Sequence, residues 1–132
     1  MQNYLTMLER AAALLRDNPD APEIGSMSVR DSALDGPLVE FMLRQDEAGD
    51  GVFEWARRLG SLVRARACGT YIKLEASLVT EGVTIRAWTH VSGRGAFELL
   101  RESNWLVDLD TTVYLNPVTR VVVRPEGLAV AS

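Results

Sequence analysis

The stretch YIKLEASLVTEGVTIRAWTHV, residues 71–91, decides the fold of this chain. On both sides of Glu81-Gly82 the apolar residues occupy every second position, which is the period of a strand with one buried face. Glycine in a two-residue turn adopts the positive φ that a tight hairpin requires. The stretch therefore predicts a β-hairpin in which residues 71–78 pair with residues 83–91.

A two-residue turn at Glu81-Gly82 also fixes the register of the two strands. All the apolar residues then share one face, whereas a slip of one residue would divide them between the two faces. The expected apolar pairs are Leu78 with Ile85, Ala76 with Ala87, and Ile72 with Val91.

The other face of the predicted hairpin is polar and aromatic. The register places Glu75 opposite Trp88 and Lys73 opposite His90, and it places Arg86 diagonal to Glu75. This face is either a solvated surface, on which the stems of Lys73 and Arg86 shield Trp88, or a contact surface, because Trp, Tyr and Arg are enriched at binding hot spots. The candidate contact residues are Tyr71, Lys73, Glu75, Arg86, Trp88 and His90.

Three segments have the three- and four-residue periodicity of amphipathic helices. They are residues 3–17, 52–60 and 94–103. In the second, Asp50 is the expected cap and Gly60 the expected left-handed end. The expected inward-facing residues are Tyr4, Leu5, Leu8, Ala11, Ala12 and Leu15 in the first helix, Val52, Trp55, Ala56 and Leu59 in the second, and Phe97, Leu99 and Leu100 in the third.

The remaining apolar segments predict strands. Residues 24–30 form one strand. Residues 38–44 fit either a strand or a helix, and the turn residues Asp35-Gly36-Pro37 before them favour a strand that closes a hairpin. Residues 61–67 are expected to extend the first strand of the central hairpin through a bend at Gly69.

A further hairpin is centred on Asn116-Pro117-Val118-Thr119, where proline suits the second position of a tight turn. The chain thus repeats the order helix, strand, strand three times. This order predicts an α+β fold, with a mostly antiparallel sheet built of hairpins and about three helices packed on one face. Residues 1–132 suit a single domain with its own core, and residues 126–132 are expected to form a loose tail.

The composition is ordinary for a globular protein. The net charge is −4, neither half of the chain is a basic block, and no apolar run approaches the length of a membrane helix. The amino-terminal residues lack the basic start of a signal peptide, so the sequence predicts a cytoplasmic protein. With Cys68 and His90 as its single cysteine and histidine, one chain forms neither an internal disulfide nor a zinc site of His and Cys ligands. A carboxylate-only magnesium or calcium site stays open.

The sequence offers no complete set of catalytic residues. Cys68 follows Arg64 and Arg66, two cations that could activate a thiol, but a buried cysteine explains it better. Asp108 and Asp110 lie two residues apart and are expected to shape a turn rather than to form a catalytic pair. The glycine-rich phosphate motifs and the nucleophile motif Gly-x-Ser-x-Gly are missing. The sequence therefore predicts neither an enzyme nor a cofactor.

Three segments resemble a group of small uncharacterised actinobacterial proteins: WARRLG at 55–60, VRARACGTYIKLEAS at 63–77 and GVTIRAWTHV at 82–91. In that group a helix with a tryptophan, alanine, arginine, leucine and glycine pattern at its end precedes a hairpin with a tryptophan in its second strand. The resemblance covers roughly residues 52–92. Many members sit near phage or mobile-element genes, so the resemblance implies that context and brings no catalytic residues.

Together these observations predict a small non-enzymatic interaction or accessory protein that acts on a host or phage protein. It would bind a protein partner, or a second copy of itself as a homodimer, through the face that carries Trp88 or through a sheet edge. The alternative is a nucleic-acid-binding accessory protein, since sheets can stack bases on aromatic residues. The candidate cations for that alternative are Lys73, Arg86, Arg57, Arg58, Arg64 and Arg66.

Overall fold

A computed structural model gives the fold and describes residues 4–34, 36–46, 48–108 and 111–124. Within these residues the chain forms three helices and seven strands. In chain order they are α1 Tyr4–Asp17, β1 Ile24–Ser32, β2 Gly36–Leu43, α2 Asp50–Leu59, β3 Val63–Cys68, β4 Tyr71–Thr80, β5 Val83–Ser92, α3 Gly93–Ser103, β6 Thr112–Leu115 and β7 Val122–Val123.

The central hairpin forms as its alternation predicts. β4 and β5 pair antiparallel around Glu81 and Gly82, whose φ angles of 50° and 82° are those of a tight two-residue turn. The predicted register is confirmed: Leu78 lies opposite Ile85, Ala76 opposite Ala87, and Ile72 opposite Val91.

The strands of the described residues form one sheet in the order β1-β2-β5-β4-β3-β6-β7. The strand predicted at residues 38–44 is confirmed as β2, which pairs antiparallel with β1 and parallel with β5. The α+β class is therefore confirmed, but the sheet is mixed and is not built of hairpins alone. The reason is that α2 and the β3–β4 hairpin lie between β2 and β5, so the chain returns to β2 in the same direction.

Residues 63–68 form a separate strand, β3, so the prediction that residues 61–67 extend the first strand of the central hairpin through a bend at Gly69 is wrong. β3 pairs antiparallel with β4, and Cys68 lies opposite Tyr71 across Gly69-Thr70. Gly69 has a φ of 74°, a left-handed conformation that reverses the chain instead of bending it. The central unit of the sheet is consequently a three-stranded meander.

The last predicted hairpin is also present. β6 and β7 pair antiparallel across a turn that contains Pro117. The side-chain oxygen of Asn116 accepts hydrogen bonds from the backbone N–H of Val118 at 2.8 Å and of Thr119 at 2.9 Å, which holds this turn. The tail predicted at residues 126–132 lies outside the described residues.

One face of the sheet and the three helices enclose the apolar core. Met7 of α1, Trp55 of α2 and Leu99 of α3 are all buried in it. The ring of Trp55 lies 5.8 Å from that of Phe41 on β2. The strand residues of the core alternate along the sheet and share this face: Val39, Phe41, Leu43, Val63, Ala65, Ile72, Leu74, Ala76, Val83, Ile85, Ala87, Val91, Val113 and Leu115.

Two helices are turned relative to their predicted inward faces. In α1 the buried residues are Met7 and Ala11. In α3 Leu99 is buried as predicted, but Phe97 is 66% exposed. Apolar residues surround most of α1, so periodicity alone does not select the side that packs on the sheet. The α1 residues that were predicted to face inward and are exposed are Tyr4, Leu5, Leu8 and Ala12.

The start of α2 depends on Asp46 and not on the predicted cap. The Asp46 carboxylate accepts hydrogen bonds from the backbone N–H of Asp50 at 2.8 Å and of Gly51 at 3.1 Å. Asp50 is instead the first helical residue. The left-handed Gly49 turns the chain so that the more distant carboxylate reaches the free N–H groups of the first turn. Gly60 ends the helix in the left-handed conformation, as predicted.

Candidate interaction surface

The three helices pack on the core side of the sheet, because the buried residues of each helix belong to the core. On the opposite side of the sheet Leu38 and Thr84 are buried, at 0% and 8% exposed. The partly exposed residues on this side include Tyr71, Lys73, Arg86, Trp88 and His90. We call this surface the open face. The six predicted contact residues all lie on it, while their role in contact stays a prediction. The open face includes Arg30, Glu40, Met42, Arg64, Arg66, Cys68, Tyr71, Lys73, Glu75, Arg86, Trp88 and His90.

Five charged residues form a row across the open face, one from each of the strands β1, β2, β5, β4 and β3. Arg30 lies 3.0 Å from Glu40, which lies 3.7 Å from Arg86. Arg86 lies 3.2 Å from Glu75, and Glu75 lies 2.8 Å from Arg64. We call this row the charge ladder. The charges alternate in sign along the ladder, so each carboxylate lies between two guanidinium groups. Neighbouring strands therefore carry opposite charges at this row, and the side chains attract one another.

Glu75 is the most buried member of the charge ladder. The residue is only 5% exposed, and its carboxylate contacts both Arg64 and Arg86. A buried carboxylate requires such partners, because leaving it unpaired costs several kcal/mol. Glu75 therefore acts beneath the surface by holding the two arginines in position.

Beside the charge ladder lies an aromatic patch, which we define as Tyr71, Lys73, Trp88 and His90. The rings of Tyr71 and His90 are 4.3 Å apart, and those of Trp88 and His90 are 4.9 Å apart. The Lys73 ammonium nitrogen lies 5.1 Å from the centre of the Trp88 ring, within cation–π distance. All four residues are partly exposed, so the patch offers ring surface to a partner.

The environment of His90 favours its neutral form. Partial burial lowers the pKa of His90, and the neighbouring Lys73 ammonium lowers this pKa further. The backbone oxygen of His90 accepts a hydrogen bond from the side chain of Gln45 at 3.2 Å. The imidazole is thus expected to present a neutral ring, with one donor and one acceptor nitrogen, at neutral pH.

This lowered pKa makes the stability of the fold depend on pH. Below the ordinary pKa of 6.5 the unfolded chain binds a proton at His90 more readily than the folded protein does. We therefore expect the free energy of unfolding to fall as the pH drops below 6.5, toward the lower pKa of the folded state. Urea unfolding of the wild type and of His90→Gln between about pH 7.5 and pH 5.5 measures this contribution. Parallel pH profiles for the two proteins would contradict the prediction.

Lys73 of the aromatic patch and the neighbouring Arg66 have no carboxylate partner among residues 4–34, 36–46, 48–108 and 111–124. Arg66 on β3 lies directly opposite Lys73 on β4, and Lys73 lies directly opposite His90 on β5. Like charges directly opposite one another are unfavourable in a sheet. This end of the open face is therefore positive, although the chain has a net charge of −4.

A cleft of about 500 Å³ opens beside Trp88. It lies at the carboxyl ends of β2 and β5, which point in the same direction because the two strands are parallel. Met42, which lies opposite Trp88 in the β2–β5 pair and is 40% exposed, forms the apolar part of its wall. Arg44 and Gln45 continue the wall past the end of β2, and His90 completes it.

The sequence alone does not predict this cleft. Trp88 and His90 belong to the predicted contact residues, but Met42, Arg44 and Gln45 reach them through the parallel pairing of β2 with β5. The strand periodicity of β2 is visible in the sequence. No local signal specifies which distant strand it joins.

Arg57, Arg58, Cys68 and Asp108 lie outside both the aromatic patch and the charge ladder. Arg57 and Arg58 belong to α2 on the core side, where both contact Glu54. Cys68 is half-buried, and its thiol donates a hydrogen bond to the Arg66 carbonyl oxygen at 3.6 Å. Asp108 is exposed, and its predicted neighbour Asp110 lies outside the described residues.

Comparison of the chain with protein-family models, with curated proteins and with solved structures found no match in any of the three. No helix in the described residues is both long and apolar enough to cross a membrane. The described residues also contain no group of three or more His, Cys, Asp and Glu side chains arranged to hold a metal ion. The function of the chain therefore has to be inferred from the geometry of the open face.

Proposed function

We propose that this chain is a small non-enzymatic accessory protein that binds a protein partner through its open face. One observation carries the proposal: the rings of Tyr71, Trp88 and His90 in the aromatic patch are partly exposed, on the side of the sheet opposite the three described helices. Aromatic residues and arginines dominate the binding energy of protein interfaces. In a soluble fold, a cluster of such residues on one face is typical of a contact site.

The charge ladder supports the proposal because it holds the open face in one arrangement. Arg86 contacts both Glu40 and Glu75, on the two strands that flank β5. The side chains around Trp88 therefore lose little freedom when a partner binds. A surface that is already ordered binds more tightly, since less conformational entropy is lost.

The resemblance of residues 52–92 to phage-associated proteins suggests the kind of partner. We propose a host or phage protein in the cytoplasm. A second copy of the chain is the other possible protein partner, because β1 is an edge strand and most of its residues are exposed. Cross-linking followed by measurement of the mass of the native protein distinguishes a homodimer from a complex with another protein.

Nucleic acid is the second candidate partner, favoured by the neighbouring cations Arg64, Arg66 and Lys73 on β3 and β4. Arg57 and Arg58 cannot join them, because α2 lies on the other side of the sheet. A salt titration of binding to a labelled single-stranded oligonucleotide tests this candidate. A steep loss of affinity with salt would support it, and no binding at about 50 mM salt would exclude it.

The proposed contact predicts the effect of removing Trp88. The probe is the protein that copurifies with the native chain, identified by mass spectrometry and then produced separately. We expect Trp88→Ala to weaken binding of this copurifying partner by at least about tenfold, which is typical of a hot-spot residue. The matched control is Phe97→Ala, which removes an exposed aromatic ring from α3 on the core side. Binding is measured by surface plasmon resonance, with circular dichroism to verify that both variants fold.

Two outcomes would count against this site. Unchanged partner binding by a folded Trp88→Ala variant would show that the open face is not the contact. If Phe97→Ala loses binding and Trp88→Ala does not, the contact lies on the helical side of the protein.

A further inference from the structure

We infer that the cleft beside Trp88 receives an apolar side chain from an acidic, extended segment of the partner. This inference rests on the proposed function and adds the chemistry of the partner to it. Two independent features support it, the apolar wall of the cleft and the unpaired positive charge next to it.

The first feature is the size and lining of the cleft. Its volume of about 500 Å³ lies within the range of pockets that bind small ligands or single anchor side chains. Met42 and Trp88 lie opposite one another and supply the apolar wall. Methionine adapts to irregular shapes, and tryptophan offers a large flat contact area. This combination suits an aromatic or long aliphatic side chain.

The second feature is charge complementarity. Arg66 and Lys73 lie opposite one another on neighbouring strands, and within the described residues neither is paired with a carboxylate. An acidic residue of a partner would relieve their repulsion. Arg44, on the far wall of the cleft, is largely exposed, although it pairs with Glu23 at 3.2 Å. The cleft is thus flanked by cations on two sides.

The spacing of the strands predicts the pattern of the bound segment. Trp88 lies on β5, and Arg66 lies two strands away on β3, in register with His90, two residues further along the sheet. A strand spacing of about 4.8 Å and a rise of about 3.3 Å per residue place the two residues about 12 Å apart. An extended chain advances about 3.3 Å per residue, so the acidic residue is expected about three or four positions from the anchor. The segment would cross the strands and pass over Lys73 and His90.

The open face suits a peptide better than a nucleic acid strand. Glu40 and Glu75 already occupy the arginines of the charge ladder, so these arginines are not free to bind a continuous run of phosphates. The two unpaired cations, Arg66 and Lys73, match one or two carboxylates rather than a long polyanion. Nucleic acid binding is therefore treated as an outcome of the test.

A random library of twelve-residue peptides displayed on phage, selected on the immobilised full chain, tests the inference. We expect enriched peptides to combine one Phe, Trp, Leu or Met with one or more Asp or Glu residues, about three or four positions away. Enrichment of basic or uncharged peptides would overturn the inference. Selection without any enrichment would overturn it as well.

Arg66→Glu tests the charge separately, with the best enriched peptide, made synthetically, as the probe. This variant places a carboxylate opposite Lys73, so the sheet gains an attractive cross-strand pair and the fold is retained. We expect the peptide to bind about fivefold more weakly than to the wild type. The matched control Arg101→Glu, at an exposed position of α3, changes the net charge equally and should leave the affinity within about twofold.

The outcomes separate this inference from the proposed function. Equal weakening by Arg66→Glu and Arg101→Glu would overturn the inference, because only the overall charge would then matter. Tighter binding of a single-stranded oligonucleotide than of any peptide would overturn it in favour of nucleic acid. If the peptide experiments fail while Trp88→Ala still abolishes binding of the copurifying partner, the open face remains the contact and only the acidic, extended segment is rejected.

Discussion

Replacing Glu75 with glutamine is expected to lower the free energy of unfolding by about 2–3 kcal/mol. The variant keeps the shape of the side chain but removes the charge between Arg64 and Arg86, 2.8 and 3.2 Å away. Breaking a fully buried ion pair costs about 3–5 kcal/mol. The cost is smaller here because the Arg64 side chain is 44% exposed, so water can partly replace the lost partner.

Urea unfolding at neutral pH measures this loss as a lower midpoint with an unchanged slope. Glu98→Gln is the matched control, since its pair with Arg94 on α3 is exposed and worth less than about 0.5 kcal/mol. Equal unfolding midpoints for the two variants would mean that the charge ladder adds no more than an ordinary surface pair.

Gly49→Ala is expected to destabilise the fold by about 3 kcal/mol. Gly49 is buried and has a φ of 74°. A Cβ atom there would lie 2.5 Å from the Cδ1 atom of Leu74 and 3.2 Å from the Cγ1 atom of Val91, both in the core. Left-handed backbone costs alanine about 1–2 kcal/mol, and overpacking adds about 1–3 kcal/mol.

Gly69→Ala separates these two costs. Gly69 has the same φ of 74°, but a Cβ atom there meets nothing within 4 Å, so only the backbone cost of about 1–2 kcal/mol applies. The difference between the unfolding free energies of the two variants is therefore the packing cost at Leu74. Identical losses for Gly49→Ala and Gly69→Ala would show that the core accommodates the extra methyl group.

The parts of the fold that the sequence predicts well are those with a strong local signal. Strict alternation in β4 and β5, together with a two-residue turn at Glu81-Gly82, specifies both the pairing and its register. Gly60 predicts the end of α2 because a left-handed residue is a local requirement. In these cases the residues that decide the structure are close together in the chain.

The remaining parts depend on contacts between distant segments. β2 pairs in parallel with β5, whose paired residues lie 46 positions later in the chain, and a periodic pattern does not identify such a partner. α1 is apolar on several sides, so its packing against the sheet, and not its periodicity, decides that Met7 and Ala11 are the buried residues. Asp46 displaces the predicted cap Asp50 because of the conformation of the loop between them.

The candidate site also has a part that the sequence predicts and a part that depends on the strand order. Tyr71, Lys73, Trp88 and His90 could be placed on one surface from the hairpin register alone. The outer members of the charge ladder, Arg30, Glu40 and Arg64, come from three other strands. Neither they nor the cleft could be found before the order of the strands was known, because the sheet brings together residues that are far apart in sequence.

The parallel pairing of β2 with β5 also forms a seam within the sheet. Within the described residues, β1 and β2 are joined to the rest of the sheet only along this one seam. Glu40 and Arg86 bridge the seam at one position, and the cleft between Met42 and Trp88 opens at its end. A side chain bound in the cleft would therefore contact both strands of the seam. Its binding energy would add to the stability of the β2–β5 pairing.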